Sequence, residues 1–135
     1  YTLPLGEASL LRQGDQITII TYGAGVHWAL ETLDKHTEIR ADVLDLRTLQ
    51  PLDTKAIYDS VIRTGKVIIL QEDSLFGGIA SDISAMVMEN CFEYLDGPIK
   101  RVGSLETPIP FNAELEAQYL AKSRFEKDLL ELIAY

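Results

Sequence analysis

Cysteine is almost absent from this sequence, in which Cys91 is the single example. One thiol cannot form a disulfide within the chain, so we expect a reducing compartment and a cytoplasmic protein. Long hydrophobic runs are missing too: no apolar stretch approaches the roughly 18 residues that a membrane-spanning helix needs. No signal peptide is recognisable either. The sequence therefore predicts no membrane partner.

Basic residues are scarce. Twelve Lys and Arg stand against twenty-one Asp and Glu, which gives a net charge of −9. Nucleic acids and anionic membrane surfaces attract cationic proteins, so this charge disfavours both as partners. It favours a basic protein partner, although solubility alone is the commoner reason for such a charge.

The length of 135 residues fits one domain. The chain opens at Tyr1 without a methionine, and Pro4 and Gly6 follow closely. We therefore expect residues 1–135 to be one domain of a longer chain, with residues 1–7 as an extended linker.

Short β-branched runs alternate with helical patterns along the chain, which predicts a layered α/β domain. Helical connections between strands imply parallel pairing with right-handed crossovers, and hence a three-layer α/β/α sandwich. The short first strand is expected to run antiparallel at an edge. The predicted strands are 8–11, 17–22, 41–46, 67–70 and 98–102.

The last helix carries a helix-start pattern. Ser123 and Glu126 have the spacing of a capping box, and an apolar face follows from Phe125 to Ile133. These residues predict that the last helix begins at Ser123.

Two glycine turns invite a comparison with phosphate-binding loops. Gly23-Ala24-Gly25 lies between a strand and a helix, but Trp28 stands where a dinucleotide fingerprint has its third glycine. Gly77-Gly78 offers free N–H groups at a helix start, but Glu72 and Asp73 would repel an anion. Both turns are better interpreted as structural, and nucleotide or phosphate binding by a freestanding module remains an alternative.

No group of residues assembles a nucleophile, a base and an oxyanion donor, so we expect no catalytic, cofactor-binding or metal-binding residue in this chain. His36 is expected to complement the dipole at a helix end, and Cys91 to be a small buried residue. His27 is a candidate interface or active-site-edge residue. Asp42, Asp45 and Arg47 flank the end of a predicted strand, where ligands often bind, but an ion pair is the simpler interpretation.

Several segments in order resemble the transketolase carboxy-terminal domain, and more narrowly the beta subunit of the 2-oxo-acid dehydrogenase decarboxylating component. The resemblance covers essentially the whole chain, and Gly77 to Ile83 with Glu89 to Phe92 lean toward the branched-chain (2-oxoisovalerate) type. The segments are 15–23 with Val26-His27, 45–53, Ser60-Val61 with Thr64-Gly65, Glu72 with Gly77-Gly78, 95–98 with 101–103, and 107–111.

The resemblance implies a mixed, mostly parallel five-stranded sheet with an antiparallel edge strand. It also implies an enzyme that oxidatively decarboxylates a 2-oxo acid and transfers the acyl group to a lipoyl carrier. In such enzymes other domains bind thiamin diphosphate with magnesium, and this domain is expected to be inactive alone. The implied partners are an alpha subunit or domain, a second beta subunit and the peripheral binding domain of dihydrolipoyl acyltransferase.

Two positions match docking residues of that family. Asp96, in the Leu-Asp-Gly-Pro turn, matches an acidic contact for the basic acyltransferase domain, and Tyr135 matches a chain terminus at the same surface. A turn residue that bonds its own backbone is an equally good interpretation of Asp96. Transketolase and deoxyxylulose-phosphate synthase are alternatives that keep the fold and change the reaction.

Overall fold

The structure is a computed structural model that describes residues 7–47, 52–74, 79–104 and 111–135. Helices follow strands through most of this part of the chain, as the hydrophobic pattern predicts. A short 3₁₀ helix, Phe92–Tyr94, follows α3. The main elements are β1 (Ser9–Arg12), β2 (Ile17–Thr21), α1 (Ala24–Lys35), β3 (Ala41–Asp45), α2 (Thr54–Thr64), β4 (Val67–Ser74), α3 (Ile79–Cys91), β5 (Lys100–Ser104) and α4 (Phe111–Ala134).

The five strands form one mixed sheet in the order β1-β3-β2-β4-β5. β1 runs antiparallel to β3 at one edge, and all other pairs are parallel. Every residue of β2 is buried, as is expected of the central strand of a sheet covered on both faces. The predicted fold class, with its antiparallel edge strand, is confirmed.

Two hydrophobic clusters cover the two faces of the sheet. On one face α1 and α4 pack through Ala29, Leu33, Phe125, Leu129 and Leu132. On the other face α2 and α3 pack through Ile57, Val61, Ala80, Ile83, Val87 and Cys91. These clusters define the three layers.

Helix α2 shows why the sequence predicts its bounds well. The side chain of Asp53 accepts a hydrogen bond of 3.1 Å from the backbone N–H of Ala56, which caps the start of the helix. Gly65 ends the helix with φ at 77°, a left-handed conformation in which glycine has no steric penalty.

Several predicted boundaries are wrong. β4 continues to Ser74 rather than ending at Leu70. β5 begins at Lys100 rather than at Pro98, since proline has no N–H to donate to a strand ladder. Helix α4 begins at Phe111, so Ser123 lies inside it and is not its N-cap. The segment from Asn112 to Lys122 is rich in Ala, Glu, Leu and Gln, which are strong helix formers, and the helix therefore extends back through it.

Candidate partner-docking surface

The Asp96-Gly97 turn lies directly beside the C-terminal end of α2. The backbone N–H of Asp96 donates a hydrogen bond of 2.7 Å to the carbonyl of Gly65. A side chain at Gly65 would collide with the carboxylate of Asp96 and come within 3.1 Å of the Tyr94 carbonyl. Glycine at position 65 thus lets the turn approach closely and leaves the Asp96 side chain exposed to solvent.

The same turn contacts the end of α4. A Cβ added at Gly97 would lie 3.1 Å from Cδ1 of Tyr135 and 3.4 Å from Cδ1 of Leu132. Leu132 is buried, whereas Tyr135 is 75% exposed, so the ring of Tyr135 rests against the turn while most of it faces water. The structure therefore brings the two predicted docking residues, Asp96 and Tyr135, onto one surface.

Lys66 fixes the end of α4 in this place. Its Nζ donates a hydrogen bond of 3.0 Å to the backbone carbonyl of Ile133, in the last turn of the helix. A cation at a helix C-terminus also interacts favourably with the helix dipole. Sequence reasoning missed Gly65 and Lys66 as supports of this surface; the helix-stop position of Gly65 was visible, but its contact with Asp96 was not.

His27 lies at the opposite edge of the sheet. α1 begins just after the carboxyl end of β2, and His27 is exposed in its first turn. The Asp96 turn precedes β5 and therefore lies at the amino edge of the parallel strands. A strand of five residues spans about 16 Å, so the structure separates His27 from the docking pair.

The turn between β2 and α1 is tightly packed on protein atoms. Gly23 has φ at 59°, and a side chain at Gly25 would collide with the hydroxyl of Thr21 and meet the Leu70 carbonyl at 3.3 Å. This packing supports the structural interpretation of the Gly23-Ala24-Gly25 turn over phosphate binding. Gly77-Gly78 lies outside the described residues.

A buried polar network links β2, β3 and α2. Asp42 is fully buried, and its carboxylate accepts a hydrogen bond of 2.6 Å from Ser60 Oγ and pairs with Arg63. The hydroxyl of Thr18 lies 2.7 Å from both Ser60 Oγ and Thr64 Oγ1. Asp42 forms its ion pair with Arg63 of α2, which lies outside the predicted group of Asp42, Asp45 and Arg47.

Arg47, His36 and Cys91 are each held by contacts within the protein. Arg47 has φ at 56°, and its N–H donates a hydrogen bond of 3.1 Å to the Asp45 carboxylate. His36 ends α1, with its ring nitrogens 3.6 Å from carboxylates of Glu38 and Glu126. Cys91 is buried, and desolvation raises the pKa of its thiol.

The described residues contain neither a cluster of metal-binding side chains nor a membrane-spanning helix. Within residues 7–47, 52–74, 79–104 and 111–135, no three His, Cys, Asp or Glu side chains converge on a point that could hold a metal ion. None of the described helices has the length and apolar character needed to cross a bilayer.

Comparison with known proteins adds two kinds of likeness. The family model described as transketolase, C-terminal domain, matches residues 6–124. Among solved structures, the one titled "Split gene transketolase, inactive beta4 tetramer" superimposes with a TM-score of 0.81 at 25% identity, covering 99% of this chain and 43% of that chain.

Three curated relatives are beta subunits. The 2-oxoisovalerate dehydrogenase subunit beta of Bacillus subtilis is 39% identical, and the match spans 100% of this chain and 42% of that subunit. The acetoin:2,6-dichlorophenolindophenol oxidoreductase subunit beta of B. subtilis is 44% identical, with coverages of 89% and 36%. The pyruvate dehydrogenase E1 component subunit beta of Rickettsia felis is 37% identical, with coverages of 97% and 40%. The chain thus spans about two fifths of the length of these relatives.

Proposed function

Because the chain belongs to the transketolase C-terminal domain family, as its motifs predict, we propose that it is the assembly and partner-docking domain of a thiamin-diphosphate-dependent 2-oxo-acid dehydrogenase. The whole enzyme decarboxylates a 2-oxo acid and passes the acyl group to a lipoyl carrier. Beta subunits of 2-oxoisovalerate and pyruvate dehydrogenases among the relatives support this reaction class.

The cofactor is held by other parts of that enzyme, with an alpha subunit and a second beta subunit as partners. Thiamin diphosphate supplies the carbanion chemistry wherever it binds, and protein supplies its placement. This chain contributes the packed three-layer scaffold and a surface at its amino edge. Dihydrolipoyl acyltransferase, through a basic binding domain, is the partner that we assign to that surface.

The single observation that carries the docking role is the convergence of Asp96 and Tyr135 across Gly97. An exposed carboxylate on a rigid turn attracts a basic partner at long range and pairs with it on contact. If Tyr135 ends the full-length protein, its terminal carboxylate adds a second negative charge beside the first.

Binding of the acyltransferase to the full-length protein, assembled with its partner subunit, tests this role. We expect Asp96→Asn to weaken binding at least tenfold and to reduce its salt dependence, because one attractive charge is lost. Asp82→Asn removes the same charge from an exposed position in the first turn of α3, at the other edge of the sheet, and should leave binding unchanged. Equal effects of the two variants would contradict the docking role.

The substrate requires a separate assay. The assembled protein should reduce 2,6-dichlorophenolindophenol with one of pyruvate, 3-methyl-2-oxobutanoate, 2-oxoglutarate or acetoin, in a reaction that depends on thiamin diphosphate. Acetoin belongs in the set because one relative is named for it.

A transketolase is the second candidate, and the structural likeness to a split-gene transketolase favours it. Ketol transfer between sugar phosphates, together with no dye reduction on any of the four substrates above, would establish this alternative. Asp96 would then be an ordinary turn residue.

A further inference from the structure

Three solvent-exposed aromatic rings belong to the segment that leads into the Asp96-Gly97 turn or to the helix end that contacts this turn. Phe92 is 67% exposed, Tyr94 is 46% exposed and Tyr135 is 75% exposed. We call these three side chains the aromatic rim. Most large apolar side chains in this fold are buried in two clusters, so three exposed rings in one region indicate a binding surface.

The backbone directs these rings outward. The 3₁₀ helix Phe92–Tyr94 closes with a hydrogen bond of 3.2 Å from the N–H of Leu95 to the carbonyl of Phe92. Leu95 packs against the cluster beneath α2 and α3, and Cys91 on the other side is fully buried. These two inward-facing residues anchor the segment at both ends and leave Phe92 and Tyr94 on its outer side.

Acidic groups are interleaved with the rings. Glu93 lies between Phe92 and Tyr94 and is exposed, and the exposed Asp96 follows two residues after Tyr94. The Tyr94 carbonyl and the Asp96 carboxylate both border Gly65, while the Tyr135 ring rests against Gly97. Tyr94, Asp96 and Tyr135 therefore lie around the same turn, and the exposed carboxylates of Glu93 and Asp96 give this region negative charge.

We propose that the aromatic rim binds arginine side chains, in preference to lysine, on the partner that docks at Asp96. This inference rests on the proposed docking function and names the side chain that the surface recognises. A guanidinium is planar, so it stacks on an aromatic face while its edge pairs with a carboxylate. An ammonium is more strongly hydrated and cannot form the same stacked, forked contact, so rings beside a carboxylate favour arginine.

A second copy of this chain is the competing occupant, because exposed rings can also pack on each other across a twofold axis. Such an arrangement would bring Glu93 and Asp96 of one copy close to the same residues of the other. Like charges facing each other in an interface are unfavourable, and the chain already has a net charge of −9. A basic partner satisfies both the rings and the carboxylates.

Two peptides that differ only in their cations test the preference on the full-length, assembled protein. One alternates glycine with arginine, the other alternates glycine with lysine, and both are of equal length and charge. We expect the arginine peptide to bind about threefold to tenfold more tightly. Tyr94→Leu and Tyr135→Leu should each reduce that ratio toward one, whereas Tyr94→Phe keeps the ring and should keep the ratio.

The outcomes separate this inference from the docking role. If Asp96→Asn abolishes acyltransferase binding but the two peptides bind equally, the docking role stands and the arginine preference is wrong. A preference that survives Tyr94→Leu and Tyr135→Leu together also contradicts it. If neither peptide binds and both leucine variants abolish concentration-dependent self-association, the rim is a contact between copies and the inference fails.

Discussion

The carboxylate of Asp42 is completely buried while its ion-pair partner, Arg63, remains 41% exposed. The same carboxylate accepts hydrogen bonds of 2.6 Å from Ser60 Oγ and 2.8 Å from the N–H of Gly14. One side chain thus ties the β1–β2 turn, β3 and α2 together at the amino edge of the sheet.

Removal of this carboxylate should destabilise the domain strongly. We expect Asp42→Ala to lower the free energy of unfolding by about 3 kcal/mol, because the buried donors of Ser60 and Gly14 lose their acceptor. Asp34→Ala also breaks an ion pair, with Arg12, but Asp34 is 68% exposed. The urea midpoint of Asp34→Ala should match that of the unmodified protein. If Asp34→Ala lost as much unfolding free energy as Asp42→Ala, the stabilising role of the buried Asp42 carboxylate would be refuted.

Substitution by valine, which preserves the shape of threonine, should change stability differently at two buried threonines of β2. Thr18→Val should cost about 1–2 kcal/mol of unfolding free energy, because its hydroxyl lies 2.7 Å from those of Ser60 and Thr64. The hydroxyl of Thr21 is buried with no hydrogen-bond partner within the described part of the chain. Thr21→Val should therefore be neutral or stabilising. Urea unfolding of the two variants side by side measures the difference, and a reversed order would contradict it.

Neighbouring leucines near the end of α4 provide a matched pair. Leu129 is fully buried, whereas Leu130 is 40% exposed. Leu129→Ala leaves a cavity beneath the sheet and should cost about 3 kcal/mol of unfolding free energy. Leu130→Ala loses little burial, and its thermal midpoint should shift by only a small fraction of the shift in Leu129→Ala. Similar shifts would mean that α4 does not pack as described.

The thiol of Cys91 predicts how stability depends on alkaline pH. Burial raises the pKa of this group in the folded protein above the ordinary value of 9.0. The unfolded chain therefore loses the proton first, and unfolding becomes more favourable as the pH rises above about 9. Stability below that pH is unaffected by this group.

Cys91→Ala isolates this contribution. Its urea midpoint should fall less than that of the unmodified protein between pH 8 and pH 10.5, even if both start from different values. Parallel pH profiles for the two proteins would show that the thiol does not contribute. In the folded protein the thiol should also react slowly with Ellman's reagent at pH 8, and rapidly once urea unfolds the chain.

The strands and most helix limits could be predicted because the determining signals are local. The apolar run from Ile17 to Ile20 marks a central strand, and Asp53 and Gly65 mark the ends of α2 by their own side-chain and backbone chemistry. The start of α4 was mispredicted for the same reason. Ser123 and Glu126 have the residue types and spacing of a capping box. Whether they start a helix depends on the residues before them, which here are already helical.

The docking surface depends on contacts that no local pattern contains. Asp96 could be identified only through its family resemblance, and its contact with Gly65 joins two distant turns. The ion-pair partner of Asp42 could not be predicted from its sequence neighbours either, because Arg63 is distant in sequence and close in space.

Helix α4 places Phe125, Leu129 and Leu132 in the cluster on one face of the sheet. During biosynthesis these side chains leave the ribosome after all the strands, so the part of that face that α4 covers stays open until translation has passed them, although α1 is already available to pack. Tyr135 reaches Gly97 only when the same helix has packed. The surface proposed for the partner therefore requires a packed α4, and a chain in which this helix has not packed cannot be recruited into the assembly through it.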